Sequence, residues 1–562
     1  MQPLALGLAE LLPTLLPTLQ HVVAAVLAVA VLAIVVDGFA IPQRIALRHI
    51  PGTPPRWLLG HMLRVKRRHR LFLYEMWEEM GSEHGKIFKW FWGTQPVITI
   101  RDAELARLVC VKHFKAFPHR SMFYPPQPLV YSQVLGSGLT FAQGPYWSST
   151  RAALQPLFHS SGLASYHRIT SEAVGELEGD LAAAAAEGAP VDVAAAMCNL
   201  ALKVVGEAAF GVKFDVLEKD AAGRIKENPL VSATKYVLEN TAAALTFMIT
   251  PRLLKPLVWA AVRTCPTRTI AGLNLARSQI YTAAIALIKN AMGRMGAQWV
   301  DDLGMEKAFA NPESAKIAAK YAGCVPAEGS VVDHLVAARN KATGAALRAH
   351  QIVGQANSVV VAGHDTTSFM MASAIYYLAT NGAARARLVA EVDAFGGAAP
   401  GHGDLERFPY VEAALHEALR LNPPGWMTSR ECVADVDLDG WRVPAGSVVY
   451  VDIRAIQRDP EHWGPDPLAY RPERFLKDGE EAKARHPLAH MPFGAGPRLC
   501  IGYKLAMQEA ITTVVRLFQR FEFEFDGSMH AGGAPTLRPG ITLGFRDGMW
   551  CRVRERPRAP CC

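Results

Sequence analysis

The stretch Phe493-Gly494-Ala495-Gly496-Pro497-Arg498-Leu499-Cys500-Ile501-Gly502 decides how the rest of this chain is read. It is a glycine-rich loop that runs into a helix expected over 503–521. Gly494 and Gly496 permit the positive φ angles of a tight loop, and Pro497 stiffens it. Gly502, without a Cβ, lets the start of the helix approach something flat. Cys500 falls at the loop–helix junction, where free backbone N–H groups and the positive end of the helix dipole favour a thiolate. Arg498 supplies a cation suited to a carboxylate, and Phe493 an apolar wall. A single cysteine near a helix is usually a small buried hydrophobe. In this spacing, with the glycines, the Phe and the Arg, it describes the proximal pocket of a thiolate-ligated haem.

Composition bounds the rest. Of 562 residues, 50% are hydrophobic and 20% charged, enough for a large core and too apolar for wholesale disorder. No linker divides the chain after residue 60, so one large domain is expected. The net charge of +8 comes without a basic run interleaved with aromatics, which argues against a nucleic-acid partner. It fits a surface that meets anionic lipid or an acidic protein. The nine cysteines (110, 198, 265, 324, 432, 500, 551, 561 and 562) show neither metal-site spacing nor a disulfide framework, which points to a reducing compartment. The terminal Cys561-Cys562 pair reads as a tail or as a lipidation site.

Residues 1–36 contain no Lys or Arg and one acid, Glu10, and 16–36 is an apolar run close to the roughly 20 residues that span a bilayer. Arg44, Arg48, Arg56, Arg64, Lys66, Arg67, Arg68 and Arg70 follow it. Positive charge on that side alone predicts a membrane anchor over 1–40 with the bulk of the chain cytoplasmic; a buried core helix is the alternative. A basic, proline-rich hinge (41–58, with Pro51-Gly52-Thr53-Pro54-Pro55), a catalytic domain (59–555) and a tail (556–562) complete the layout.

Along the domain, 86–101 reads as a hairpin around Gly93-Thr94. Trp147 and Arg151 fall one helical turn apart on one face. Residues 161–300 read as largely helical, and 297–329 as an insertion. A long helix is expected over 345–380, with Ala362-Gly363-His364-Asp365-Thr366-Thr367 at its centre. Thr hydroxyls there can bond back to the i−4 carbonyl and open a groove for O2 and water. Asp365 beside Thr366 sets an acid next to an alcohol, as proton delivery requires. His364 reads as core packing. Glu417 and Arg420 form an i,i+3 pair on a helix over 411–421, and 541–545 reads as a short strand returning near a pocket.

The ten-residue loop resembles the haem-binding signature of the cytochrome P-450 family at every defining position. The long-helix motif, the Glu417/Arg420 pair and Pro472-Glu473-Arg474-Phe475 recur in the family's order. The resemblance implies a mainly α fold with small β-sheets and one N-terminal anchor helix. It implies haem b held by Cys500 as axial iron ligand, with Phe493, Gly496, Arg498 and Gly502 shaping the loop. Arg120, Trp147, Arg151 and Arg430 match propionate contacts, and Asp365 and Thr366 match the oxygen-activation pair. Glu417, Arg420 and Arg474 match a buried network that braces the haem loop. No dinucleotide fingerprint follows a strand, so electrons are expected from a separate NADPH-cytochrome P-450 reductase, or from cytochrome b5, docking near Cys500 and Lys504.

The implied reaction is insertion of one atom of O2 into a bulky apolar substrate: a terpenoid, apocarotenoid, sterol or fatty acid. Phe-Gly-Val-Lys-Phe at 210–214 and Lys-Ala-Arg-His-Pro at 483–487 resemble the broad group with animal drug-metabolising, thromboxane-forming and plant carlactone-oxidising members. Segment 238–253 reads as a substrate roof. The alternatives are a rearranging isomerase or dehydratase that needs no external electrons, and a non-catalytic haem-binding sensor. The endoplasmic reticulum membrane is the expected location, a plastid membrane the other.

Overall fold

A 32-residue helix, Ala349–Thr380, forms the spine of the molecule. The computed structural model describes residues 28–557, apart from 30, 34, 37–39, 58, 65–72, 122–128, 214–216, 220–224, 228, 245–254, 340–343, 477–479, 539 and 541. The spine begins four residues later than the apolar pattern suggests, because the Arg348 N–H donates to Gln351 Oε1 at 2.9 Å and caps the first turn. Helices Leu129–Ser137, Val193–Phe210, Arg268–Arg294, Pro409–Leu421 and Tyr503–Arg520 pack against it. The largest core brings Met370, Ile375 and Leu378 of the spine against Val204, Leu415 and Val514 of its neighbours. Helix Val193–Phe210 has a mean hydropathy of 1.5, enough for a membrane span, yet 61% of it is buried in this core. Its remaining face reaches the surface, where Lys203 pairs with Glu176 at 2.6 Å.

Of four small sheets among the described residues, two have more than two strands. The larger has the strand order Ile87–Trp92, Gln95–Ile100, Val448–Asp452, Met427–Glu431, parallel only between the middle two. The expected hairpin is its first pair. The turn residue Gly93 adopts φ +60°. The smaller sheet has the order Phe521–Phe525, Trp550–Glu555, Pro190–Asp192. Trp77 sits where the larger sheet meets the helices, fully buried, with ring centroids 4.9 Å from Trp426, 5.5 Å from Tyr450 and 6.0 Å from Trp90.

Several expectations are refined or corrected. Residues 297–329, read as an insertion, hold helices Met305–Phe309 and Pro312–Ala322. Asn311 caps the second, accepting from Ser314 N at 2.9 Å and donating to Ser278 Oγ at 2.7 Å, which fastens it to helix Arg268–Arg294. The described residues 542–545 of the expected strand form none, with an isolated bridge joining Leu537 to Phe545, although Thr542 does line a pocket. The helix after the glycine loop ends at Arg520, since Phe521 already opens a strand.

The N-terminal run up to residue 27, most of the roof segment (245–253) and the Cys561-Cys562 pair lie outside the described residues. Within 28–36 the described residues are helical, with Val29 66% and Leu32 62% exposed. Because Trp77 anchors an aromatic cluster that nothing smaller can fill, Trp77→Ala is expected to destabilise the domain by about 3–5 kcal/mol. A lower thermal midpoint by circular dichroism is the readout.

Candidate active site

Between the spine and the glycine loop lies a mainly apolar cavity of about 450 Å3. Cys500 lines it from one side, and Ala362, Gly363 and Thr366 from the other. The loop is closed by the Cys500 N–H donating to the Phe493 carbonyl at 3.0 Å. Gly494 and Gly496 take φ +76° and +67°, as expected of the turn. Gly496 is further constrained: a Cβ there would lie 2.0 Å from the Cys110 carbonyl oxygen. Gly502 also lines the cavity, with only Phe158 near the place of a Cβ, at 3.6 Å.

Cys500 stands at the loop–helix junction, as expected, with the Gly502 N–H directed to its sulfur. Its side chain is open to the cavity but lies deep within the protein, and that burial pushes the thiol up. The Gly502 N–H and the Arg120 and Arg151 charges oppose this only in part. A coordinated cation would be needed to hold the thiolate form.

Four arginines gather at one end of the cavity. Arg498 stacks on the Trp147 ring at 4.0 Å and donates to the Pro118 and Ala142 carbonyls, each at 2.9 Å. Arg120 donates to the Arg498 carbonyl at 3.1 Å. Arg151 lies 6.0 Å from the Trp147 ring, one turn along the same helix, Gly144–Leu154. Arg430, fully buried, donates to Thr428 Oγ1 at 2.9 Å and stands behind Thr428 and Ser429, which line the cavity where it does not.

Among the described residues, none of the four has a carboxylate partner. Burial and then mutual repulsion push Arg498 down to about 9 and Arg120 to about 10. Arg120 Nε, Arg430 Nε and Arg498 Nη1 are buried without a hydrogen-bond partner. Such a set is costly alone and complementary to a ligand carrying two carboxylates, as haem does.

On the spine, the Thr366 hydroxyl donates to the Ala362 carbonyl at 2.7 Å, the expected i−4 back-bond. Gly363 serves packing as well as the groove, since a Cβ there would meet Val205 at 2.7 Å. His364 is core, with Nε2 2.9 Å from Cys198 Sγ. Asp365 does not bond to Thr366. Its carboxylate takes an ion pair from Arg538 and a 2.5 Å hydrogen bond from the Thr542 hydroxyl.

Beneath the loop, Glu417 and Arg420 are wholly buried, joined by bonds of 2.6 and 2.7 Å, with Arg474 Nε 3.6 Å from Glu417. Burial raises the Glu417 carboxyl and Arg420 opposes it. Arg420 also donates to the Gln457 carbonyl at 3.0 Å, and Gln457 Oε1 accepts from the Met491 N–H at 2.9 Å, two residues before Phe493. The network therefore reaches the glycine loop through Gln457. Sequence reading missed Gln457 and Arg538, and it placed Thr542 near a pocket without its bond to Asp365. It also missed Glu509, a buried acid lining the cavity whose signal was available: it interrupts the apolar face of helix Tyr503–Arg520.

Comparison with known proteins agrees with this geometry. The cytochrome P-450 family model matches residues 50–532, and the chain belongs to that family, which uses haem with cysteine-thiolate ligation and includes monooxygenases. Thromboxane-A synthase of Rattus norvegicus is 28% identical, covering 90% of this chain and 92% of its own. Cytochrome P-450 3A2 of Rattus norvegicus is 27% identical, covering 84% and 85%.

Two outcomes are expected. Replacing Glu417 by Ala leaves the buried Arg420 guanidinium without a carboxylate, while Arg474 keeps Asp466; this should cost about 3–5 kcal/mol and give protein that purifies without haem absorbance. Burial pushes Glu509 up to about 8 from an ordinary 4.5. Between those values the folded state keeps a proton that the unfolded state releases, so this group makes stability fall as pH rises through that window. In Glu509→Gln that fall disappears, and denaturant midpoints at pH 5 and pH 8 (about three units apart on this linkage) draw closer than in the parent.

Proposed function

We propose that this chain is a haem-thiolate monooxygenase that inserts one atom of O2 into a bulky apolar substrate of terpenoid, apocarotenoid, sterol or fatty-acid type. Its electrons come from a separate NADPH-dependent reductase. The observation that carries the reading is the group of buried arginines without a carboxylate partner, bordering an apolar cavity with Cys500 on its wall.

In this reading Cys500 is the axial ligand of haem b, and Phe493, Gly496 and Gly502 shape the loop beneath the macrocycle. Arg120, Arg151, Arg430 and Arg498, with Trp147, neutralise the two propionates. Bound there, the haem supplies O2 activation, with thiolate electron density favouring O–O cleavage. The chain's own residues do the rest. Leu139, Val205, Met370 and Trp90 offer apolar wall that holds substrate and sheds water. The Thr366 hydroxyl, its proton committed to Ala362, turns lone pairs toward the groove, where they accept from water or substrate. Asp365, the adjacent acid, passes protons. Glu417, Arg420 and Arg474 keep the loop rigid.

The reductase, or cytochrome b5, docks over the Cys500 side, where the exposed Lys504 and Lys112 suit an acidic partner. The exposed apolar helix residues of 28–36 support an anchor in the endoplasmic reticulum membrane with the domain on the cytoplasmic side. Layout follows: anchor 1–40, hinge 41–58, catalytic domain 59–555.

Membrane-expressed protein, reduced under carbon monoxide, is expected to give the far-red Soret band of a thiolate-ligated haem, and Cys500→His to move it to the histidine-ligated position. Substrate turnover should stop when reductase is withheld. A parent band at the histidine position sinks the ligand assignment; product without reductase assigns the chain to electron-independent rearrangement instead.

A further inference from the structure

The Asp365 carboxylate, 7% exposed, is held entirely by a segment 173 residues downstream. One oxygen pairs with the Arg538 guanidinium, and the other accepts from Thr542 Oγ1 at 2.5 Å. The segment is built to present both. The Arg538 N–H donates to the Gly544 carbonyl at 2.8 Å, and a Cβ on Gly544 would lie 2.6 Å from Arg538 Nε, so only glycine lets the guanidinium cross the turn. The Leu543 N–H donates to the Pro424 carbonyl at 2.9 Å, which pins the turn against the cavity wall. Thr542 lines the cavity; Asp365 does not. Arg538 does not line it either and keeps 14% of its side chain exposed, so solvent reaches the pair from outside.

We propose that Thr542 is the proton relay between Asp365 and the cavity, with Arg538 as the positioning residue that fixes the carboxylate for it. The inference rests on the monooxygenase reading above. Thr542 has one proton and two lone pairs. In the geometry described, that proton is given to Asp365. When Asp365 takes up a proton from the solvent side, the bond reverses: the acid donates to Thr542 Oγ1, and the Thr542 proton turns into the cavity. Transfer to a water in the cavity breaks the Thr542 O–H bond and forms one to that water, while the Asp365 proton remakes the hydroxyl; one proton crosses, and Asp365 returns to the carboxylate. Thr366 cannot make this link, since its proton is engaged by Ala362 and no bond joins it to Asp365.

The test uses the full-length protein, with Thr542→Val and Thr542→Ala to remove the hydroxyl and Thr542→Ser to restore it. With NADPH and purified reductase and no added substrate, O2 that takes two electrons and two protons leaves as hydrogen peroxide; O2 that takes four of each leaves as two waters. Without the relay, the share of NADPH recovered as peroxide is expected to rise severalfold in the Val and Ala variants and to return in the Ser variant. A second readout needs no haem. The Asp365 carboxylate band, identified by infrared difference against Asp365→Asn, should shift in the Val and Ala variants and return in the Ser variant. If variants that keep the far-red carbon monoxide band show neither change, the relay is wrong. If the parent lacks that band, the monooxygenase reading fails, and an unshifted infrared band would then overturn the Thr542–Asp365 coupling separately.

Discussion

Positive charge buried without a counter-charge is the constraint around which this molecule is arranged. Guanidinium groups keep their charge even under desolvation, so Arg120, Arg430 and Arg498 cannot escape the penalty by losing a proton at neutral pH. The chain meets part of it with backbone carbonyls, from Pro118, Ala142, Thr140 and Ser429, and with the face of Trp147. Those contacts orient the arginines and leave three N–H positions unpaired. A ligand that pairs them binds the folded state and not the unfolded chain, so its binding free energy becomes part of the stability of the fold.

The Glu417 cluster solves the opposite problem. Here a buried carboxylate is surrounded by two guanidinium groups, and further carbonyls from Gln457, Pro467 and Ala469 take the remaining Arg420 donors. Trp463 lies under both Arg420 and Arg485, at 4.6 and 3.9 Å. Glu417 is met by two cations, Arg474 pairs also with Asp466 at 2.7 Å, and none of Glu417, Arg420 and Arg474 lines the cavity, so the cluster lends rigidity. It braces, and Gln457 joins it to the loop that carries Cys500.

How much of this was legible depended on how local the interaction was. The glycine loop, the hairpin, the Thr366 back-bond and the Glu417–Arg420 pair each involve residues within a few positions of one another, where spacing alone fixes geometry. Arg474 was legible through a motif. At Cys500 the loop–helix junction was legible but the burial was not, and burial opposes the Gly502 N–H there. Segment 541–545 alternates like a strand, but among the described residues it has no partner edge beyond one bridge. The helices of 297–329 were missed because they are short and stand on Asn311 capping rather than on a long apolar stripe. Segment 541–545 was read as returning near a pocket, but the pairing of Arg538 and Thr542 with Asp365 was beyond reach: it acts across 173 and 177 residues, from positions past residue 532, where the family match ends.

That distance also sets an order of events during synthesis. The spine helix and most of its neighbours precede Arg538 in the chain, so the core can assemble around Asp365 before its partner has been made. Until then a carboxylate sits at the centre of the fold with neither cation nor hydroxyl to meet it. A ribosome paused within that interval holds a protein that is nearly folded and locally unstable at its reactive centre, with water still able to enter. Completion of the C-terminal turn is thus the step that seals the site, and a chain cut short of it carries its own defect for a protease to find.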